Sequence, residues 1–243
     1  MSIEAQQLLL LLNWMSPAFP TGAFAYSHGL EWAIEDKAVS DAATLKQWIE
    51  DLVTRGSGWN DAVLFSRCWE NDAAELNELA LALATSKERY LETTQLGRSF
   101  GIAASVFLPS PLAGEGGRRP DEGPPRLNLS PAAARHPLPQ GEREDWAYPI
   151  AAGSSCAALD IPRHHALLAY LQGFCAALTS VAVRLVPLGQ TAGLETLRDL
   201  MPVITATAER AATASLDDLG TITLVADIAA MKHETQYSRV FRT

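Results

Sequence analysis

Two short segments of the chain concentrate the side chains that could bind a ligand, move a proton or anchor a partner. The first is SPAFPTGAFAYSHGLE, residues 16–31, whose polar members are Tyr26, Ser27, His28 and Glu31. An imidazole and a carboxylate three residues apart are groups that a ligand pocket or an enzyme site would use. A structural alternative stays open, in which Phe19 and Phe24 fill the core and the polar residues form the edge of a rigid turn.

The second segment is the C-terminal tail, MKHETQYSRVFRT, residues 231–243. Chain termini are usually small and polar where they are free. This one carries Tyr237, Val240 and Phe241 between arginines, and Tyr, Phe and Arg are the types that dominate interface energetics. Partner docking is the preferred interpretation, with fraying or docking back on the same chain as alternatives.

Outside these segments the sequence predicts no catalytic centre and no metal centre. It contains no phosphate-binding loop, no dinucleotide fingerprint and no paired Cys-x-x-Cys motif. The adjacent His164 and His165 diverge by about 100° on a helix, so they cannot chelate one ion together. The three cysteines, Cys68, Cys156 and Cys175, are scattered, and we expect them to be buried small hydrophobes in a reducing compartment.

Charge and hydropathy narrow the possible partners and the location. Nineteen basic against 28 acidic residues give a net charge of -9, which disfavours nucleic-acid binding. The apolar run at 8–12 is only five residues long and follows the acidic Glu4, which fits neither a signal peptide nor a membrane span. We therefore expect a cytoplasmic protein that meets other proteins, but neither nucleic acid nor membrane.

The elements that must position these segments are predicted to be helices. Leu, Ala, Glu and Gln dominate, and apolar residues recur at helical spacing, so the sequence predicts an all-α, single-domain bundle of about eight to ten helices. Ser40 and Asp41 offer an N-cap, and Thr85 with Glu88 has capping-box spacing. The predicted helices cover 2–12, about 42–54, two within 60–84, 85–106, 162–186, 191–212 with a kink or break at Pro202, and 217–232.

Residues 109–145 interrupt this pattern. These 37 residues hold eight of the fourteen prolines and five of the sixteen glycines, with no apolar period. Such a composition cannot bury enough apolar surface to offset its ordering entropy. We predict a disordered insert at 109–145 that lies outside the folded domain.

The same segments carry a family resemblance. SPAFPTGAFAYSHGLE near the N-terminus and DLG…DIAAMKHETQYSRVFRT at the C-terminus resemble the signatures of the urease accessory protein F (UreF) family. LGRSF at 96–100, AYPIAAG at 147–153 and VPLGQTAGLETL at 186–197 match that family in order and spacing. The resemblance covers essentially the whole chain except about 109–145.

The resemblance implies an all-helical homodimer that is not an enzyme. It implies an adaptor or chaperone that binds the UreD/UreH accessory protein, recruits and regulates the GTPase UreG, and meets apo-urease for GTP-dependent nickel insertion. It also implies that this chain binds no resident cofactor, because Ni²⁺ and GTP are handled by the partners.

The resemblance also implies residue roles. The partner-binding residues of the tail would be Lys232, His233, Glu234, Gln236, Tyr237, Ser238, Arg239, Phe241 and Arg242. The N-terminal loop, with Tyr26, Ser27, His28 and Glu31, would be a second partner surface or an ion path. The chain has Gly-Ala-Phe-Ala at 22–25 where the family more often has Gly-Gly-Phe-Ser, which bears on the turn because Ala23 adopts positive φ less freely than Gly.

Overall fold

The computed structural model describes residues 2–108 and 145–242, and all regular structure within these ranges is helical. This confirms the all-α prediction. The predicted insert lies outside the described residues except for Asp145, and the single-domain division remains a prediction. The helices are α1 Ala5–Trp14, α2 Leu30–Glu35, α3 Ala42–Arg55, α4 Ser57–Arg67, α5 Ala73–Ala82, α6 Lys87–Ala104, α7 Tyr148–Ala158, α8 Arg163–Leu185, α9 Gly189–Thr213 and α10 Leu224–His233, with 3₁₀ turns at Ala23–Ala25 and Leu216–Asp218.

Helix α8 forms the centre of the bundle. It packs against α9 most extensively and also contacts α1, α2, α3, α4 and α7. Its buried stripe includes Leu167, Leu171, Cys175, Leu178 and Val181. By length and composition this 23-residue helix could cross a membrane, and it is the one helix of the described part of the chain that could. The core helix of a globular protein has the same length and apolar character, and half of the apolar window of α8 is buried within the bundle.

The start of α3 agrees with the prediction, whereas the start of α6 does not. Asp41 caps α3, its Oδ1 accepting the Thr44 amide hydrogen at 2.8 Å. The predicted capping box at 85–88 is wrong, because Ser86 caps α6 and accepts the Arg89 amide hydrogen at 3.1 Å. Thr85 instead donates to Asp227 of α10, at 3.0 Å. The Thr85 side chain, which local spacing had assigned to the N-cap, is thus engaged in a long-range contact with α10.

Two predictions concern the C-terminal part of the bundle. Helix α9 continues through Pro202, so of the predicted kink or break the break does not occur, and the kink remains a prediction. Pro202 lies on the exposed side of α9, where water can hydrate the carbonyl that loses its helical donor. The predicted helix 217–232 is instead a 3₁₀ turn followed by α10, separated at Gly220, whose φ is 153°. The short α2 and the α7 helix were not predicted.

Close packing of α6 on the segment that enters α7 requires Gly97. The Cβ of an alanine at 97 would lie 1.9 Å from the carbonyl oxygen of Trp146, a fixed backbone atom. At Gly173, within α8, the nearest atom to an added Cβ is 3.5 Å away, an ordinary contact.

We expect Gly97→Ala to lower the free energy of unfolding by about 3 kcal/mol, because the two backbones must separate. Gly173→Ala is the matched control, and its stability should be unchanged or up to about 1 kcal/mol higher through helix propensity. Urea unfolding followed by circular dichroism measures both. Equal stability of the two variants would contradict this account of Gly97.

Candidate functional site

The structure brings together the two segments singled out in the sequence. The tail folds back on its own chain, and its Arg242 amide donates to the Ala25 carbonyl oxygen at 2.8 Å. Phe241 is buried, with the Arg184 guanidinium 4.6 Å from its ring centroid, and the same guanidinium donates to the Phe24 carbonyl oxygen. The residues around His28 and the tail around His233 therefore form one continuous region.

Four titratable side chains, two of the body and two of the tail, join the tail to the body, and we call Glu31, Glu88, His233 and Arg239 the tail clamp. Glu31 accepts the backbone amide hydrogens of Val240 at 2.7 Å and Phe241 at 2.9 Å. His233 places Nδ1 2.7 Å from Glu88 and Nε2 3.0 Å from Glu31. Both carboxylates and the imidazole are buried.

Arg239 completes the clamp from the solvent side. Its guanidinium donates to the second carboxylate oxygen of Glu88 at 2.9 Å. Burial raises the pKa of Glu88 above its ordinary value, and the hydrogen bond and charge of His233 and the charge of Arg239 offset only part of this effect. The clamp therefore joins the α2 and α6 carboxylates to the imidazole and the guanidinium of the tail.

A second polar group, the His28 cluster, consists of the buried His28 and Glu92 and the half-buried Ser57, Asp61 and Arg89. His28 Nδ1 lies 3.2 Å from a Glu92 oxygen, and Nε2 lies 2.6 Å from the Ser57 hydroxyl. Arg89 forms an ion pair with the other Glu92 oxygen and also contacts His28 Nδ1. Tyr170 donates to Asp61 at 3.3 Å.

The two carboxylates of this cluster respond oppositely to their surroundings. Burial opposes ionisation of Glu92, but the charges and hydrogen bonds of Arg89 and His28 outweigh it and lower the Glu92 pKa to about 2. Burial raises the pKa of Asp61, and the charges of Arg89 and His28 only partly offset it. Glu92 is therefore a fixed anion, whereas Asp61 holds a proton more readily than an exposed aspartate.

Backbone geometry fixes His28 in this position. His28 and Gly29 both have positive φ, 57° and 76°. A Cβ at Gly29 would lie 2.8 Å from the Ala230 amide nitrogen of α10, so glycine is required for the loop to meet that helix. The left-handed residue of the preceding turn is Gly22, while Ala23 begins the 3₁₀ turn, so the Ala at 23 is compatible with the turn.

A cavity of about 150 Å³ lies between the N-terminal loop and the bundle. Its charged lining includes His28, Asp61, Arg89 and Glu92. Its aromatic lining includes Trp14, Phe24, Tyr26, Tyr148, Tyr170 and Phe174. The cavity thus has a charged side against an aromatic wall, which is the kind of lining that a small ligand site would have.

The interpretation of the N-terminal loop as a rigid turn with a polar edge is only partly right. Phe19 is buried in the core, but Phe24 is 71% exposed. The four polar residues of the loop do not form an edge, because Tyr26, Ser27, His28 and Glu31 are all buried. Tyr26 donates a hydrogen bond to Gln95 of α6, which ties the loop to the same helix that holds His28.

The tail residues divide into an inward and an outward set. The inward residues His233, Gln236 and Phe241 are buried, and the Gln236 amide donates to Glu35 of α2. Glu234, although exposed, accepts the Lys87 amide hydrogen at the start of α6. Lys232, Tyr237, Ser238, Arg239 and Arg242 are exposed. Their predicted contacts with a partner remain a prediction.

Sequence reasoning missed the α6 side of both clusters. Glu88, Arg89 and Glu92 form a charged group on one helix, and spacing alone suggested only a capping box that included Glu88. Glu92 pairs with His28 across 64 residues of chain, and Glu88 pairs with His233 across 145. Pairing over such separations is not visible in local periodicity.

Neither group of side chains forms a metal centre. Glu31 and Glu88 lie on opposite sides of the His233 ring, so their oxygens do not converge with its nitrogens on one point. Within residues 2–108 and 145–242, no three His, Cys, Asp or Glu side chains are arranged to hold an ion. Burial raises the pKa of Cys68 and of Cys175 to about 12, so these cysteines remain protonated thiols.

Comparison with known proteins identifies the family. A sequence model of the UreF family matches residues 39–201. The chain belongs to the UreF family. Urease accessory protein UreF 1 of Brucella anthropi is 43% identical over 241 residues, which cover 97% of this chain and 94% of that protein. Urease accessory protein UreF of Ruegeria pomeroyi is 40% identical over 243 residues, which cover 98% of this chain and 97% of that protein.

The extent of these matches bears on the site. The UreF model covers Ser57, Asp61 and the α6 carboxylates, but neither the loop at 16–31 nor the tail at 231–243. The UreF proteins of Brucella and Ruegeria align over nearly the whole chain. The family assignment therefore rests on the helical body as well as on the two terminal segments.

The buried Glu92 pair predicts a defined acid response. Its carboxylate has a lower pKa in the folded state than its ordinary value of 4.5, so its ionised form stabilises the folded state above about pH 4.5. This contribution, about 3 kcal/mol, is lost as the pH falls from 4.5 towards 2.

We expect Glu92→Gln to reduce stability at pH 7 and to flatten its decline between pH 4.5 and pH 2.5, compared with the unsubstituted chain. Urea unfolding at a series of pH values measures both effects. Glu78→Gln, at an exposed position of α5, is the control and should reproduce the original pH curve. An unchanged acid slope in Glu92→Gln would refute the assignment of this stabilisation to Glu92.

Proposed function

We propose that this UreF-family chain is an adaptor and chaperone of urease maturation. With the UreD/UreH accessory protein and the GTPase UreG, it promotes GTP-dependent insertion of Ni²⁺ into apo-urease and regulates the GTPase. Ni²⁺ is cargo in this role, and GTP is bound by the partner, so the chain needs no cofactor and no catalytic group of its own. The relatives named above are urease accessory proteins, which supports this role.

The observation that carries the proposal is an apolar surface at the C-terminal end. Ile222, Leu224, Val225, Ile228, Met231, Tyr237 and Val240 are all exposed, and all fall within nineteen residues of chain. Tyr237 is fully exposed. Large apolar side chains exposed together along one helix and its continuation are typical of a protein interface. We call this set the C-terminal apolar surface and assign it to the UreD/UreH partner.

Tail ordering supports the same assignment. Fixing the backbone costs roughly 1–2 kcal/mol for each residue. On this chain the cost is offset by the tail clamp and by burial of Phe241, while Tyr237 gains no burial and Val240 gains little. A partner that covers those two side chains would add the missing apolar burial and would select the docked tail.

We propose that the chain acts in the cytoplasm as a homodimer and that it meets apo-urease through the complex with UreD/UreH and UreG. The net charge of -9 supports protein partners over nucleic acid or a membrane surface.

A second candidate function is an enzyme or ligand-binding protein that uses the cavity beside His28. The specific observation in its favour is the order Glu92, His28, Ser57, with an imidazole between a carboxylate and a hydroxyl. Against it, Arg89 forms an ion pair with Glu92 and contacts the same ring nitrogen, so the carboxylate is not free to orient the imidazole as a general base. Ser57→Ala would abolish any activity of the isolated chain if this candidate were correct.

Two variants test the adaptor role. Val225→Asp with Ile228→Asp places charges on the C-terminal apolar surface, and a chain ending at Ala230 removes the tail. We expect both to lose UreD/UreH capture by at least tenfold in co-expression pull-downs, and UreG recruitment with it, because apolar burial is lost. Light scattering should show the homodimer unchanged.

The matched control is Leu194→Asp with Met201→Asp, which adds the same charges at exposed apolar positions of α9. It should bind like the original chain, and circular dichroism should show all variants folded. Undiminished capture by both the charged variant and the truncated chain would overturn the assignment of this surface.

A further inference from the structure

His233 lies between two acids with no access to water. Its side chain is 0% exposed, and both ring nitrogens face carboxylate oxygens, Glu88 at 2.7 Å and Glu31 at 3.0 Å. An ionised carboxylate can only accept a hydrogen bond, and a neutral imidazole has one N–H and one lone pair. Each of the two short contacts needs one donated proton, so together they need two. Two ionised carboxylates and a neutral imidazole supply only one, and one further proton must therefore be bound.

That proton can reside on the ring or on one carboxyl group. In the first case His233 is an imidazolium that donates to both acids. In the second, a protonated Glu88 donates to Nδ1 while Nε2–H donates to Glu31. Both arrangements bind the same number of protons, so docking of the tail is coupled to one proton whichever group holds it. Burial raises the pKa of Glu88, which also favours binding of a proton when the tail is docked.

Removing the proton leaves a buried conflict. One carboxylate oxygen would then face the imidazole lone pair at hydrogen-bond distance, with no water to separate them. The charged groups around His233 are Glu31 from α2, Glu88 from α6 and Arg239 from the tail, and Glu234 acts on Glu88 from the exposed side. With the extra proton the four side chains of the tail clamp are neutral in sum, and without it they carry one uncompensated negative charge.

We infer that the tail clamp is a proton-dependent latch, which holds the tail on the body when it binds this proton and releases the tail as the pH rises. The tail residues released are those that complete the C-terminal apolar surface, including Tyr237 and Val240. If the proposed function holds, capture of the partner is regulated by pH through the same latch.

Linkage sets the direction and size of the effect. A free tail carries an ordinary imidazole, which is largely neutral above about pH 6.5. Above that pH, docking must take up a proton, so the docking constant falls by up to tenfold for each pH unit. Docking is therefore fully favoured at acid pH down to the range in which the carboxylates protonate, and it weakens on the alkaline side.

Hydrogen exchange of the full chain tests the latch without any partner. Exchange of the amides at 234–242 is measured at pH 6.0, 7.0 and 8.5, and each rate is divided by the intrinsic rate at that pH. We expect protection of the Val240 and Phe241 amides, which donate to Glu31, to fall at least tenfold between pH 6.0 and 8.5. Amides of the α8 core provide the internal reference and should not change. Equal protection of the tail amides at both pH values would overturn the latch.

Glu88→Gln separates the latch from general loosening of the tail. The glutamine amide can donate to the lone pair of neutral His233 and can accept from Arg239, so docking no longer requires the proton. We expect tail protection in this variant to be independent of pH, whereas Glu35→Gln, which changes an acid that contacts Gln236 but not His233, should keep the original dependence. An original pH slope in Glu88→Gln would also overturn the latch.

Partner capture distinguishes the latch from the proposed function. UreD/UreH affinity should fall with pH for the original chain and not for Glu88→Gln. Protection that depends on pH in a chain that never binds UreD/UreH would refute the proposed function and leave the latch standing. If UreD/UreH is captured but protection of the tail amides does not depend on pH, the latch is refuted and the proposed function stands.

Discussion

Two carboxylates one turn apart on α6, Glu88 and Glu92, hold the two histidines on which both terminal segments depend. Glu92 contacts His28 of the N-terminal loop, and Glu88 contacts His233 of the tail. Buried carboxylates are costly unless they are paired and hydrogen-bonded, so α6 requires these partners as much as they require α6. The rest of the region follows from this constraint, including the positive φ at His28 and the close approach of Gly29 to α10.

The two carboxylates nevertheless behave differently because their cations differ. Arg89 on the same helix is ion-paired with Glu92 and stays with it whatever the loop does. Glu88 instead contacts two side chains of the tail, the His233 imidazole and the Arg239 guanidinium. The first pair is therefore a permanent part of the body, whereas the second exists only when the tail is docked. This difference places the adjustable element at the C-terminus.

The sequence predicted the helical body better than the region built on α6. Apolar residues at helical spacing located α3 and α8, because each buries one stripe against its neighbours, and α6 and α9 were also predicted at nearly their observed bounds. Helix α7 was not predicted because its residues 149–156 are all buried, so its apolar residues show no helical period. Helix α2 was not predicted because it has only six residues. The histidine-containing segments could be selected by composition, but their acidic partners could not, because side chains 145 residues apart leave no local signal.

The tail inverts the usual arrangement of a chain folded on its own body. Its buried contacts are largely polar, through His233, Gln236 and the amides that Glu31 accepts, while Tyr237 and Val240 face solvent. Folding for stability alone would bury the apolar side chains and expose the polar ones. Under the proposed function, a tail held by polar groups and by Phe241, with Tyr237 and Val240 pointing outward, would serve a surface that another protein completes. The polar contacts also make that surface adjustable, since they depend on charge in a way that apolar burial does not.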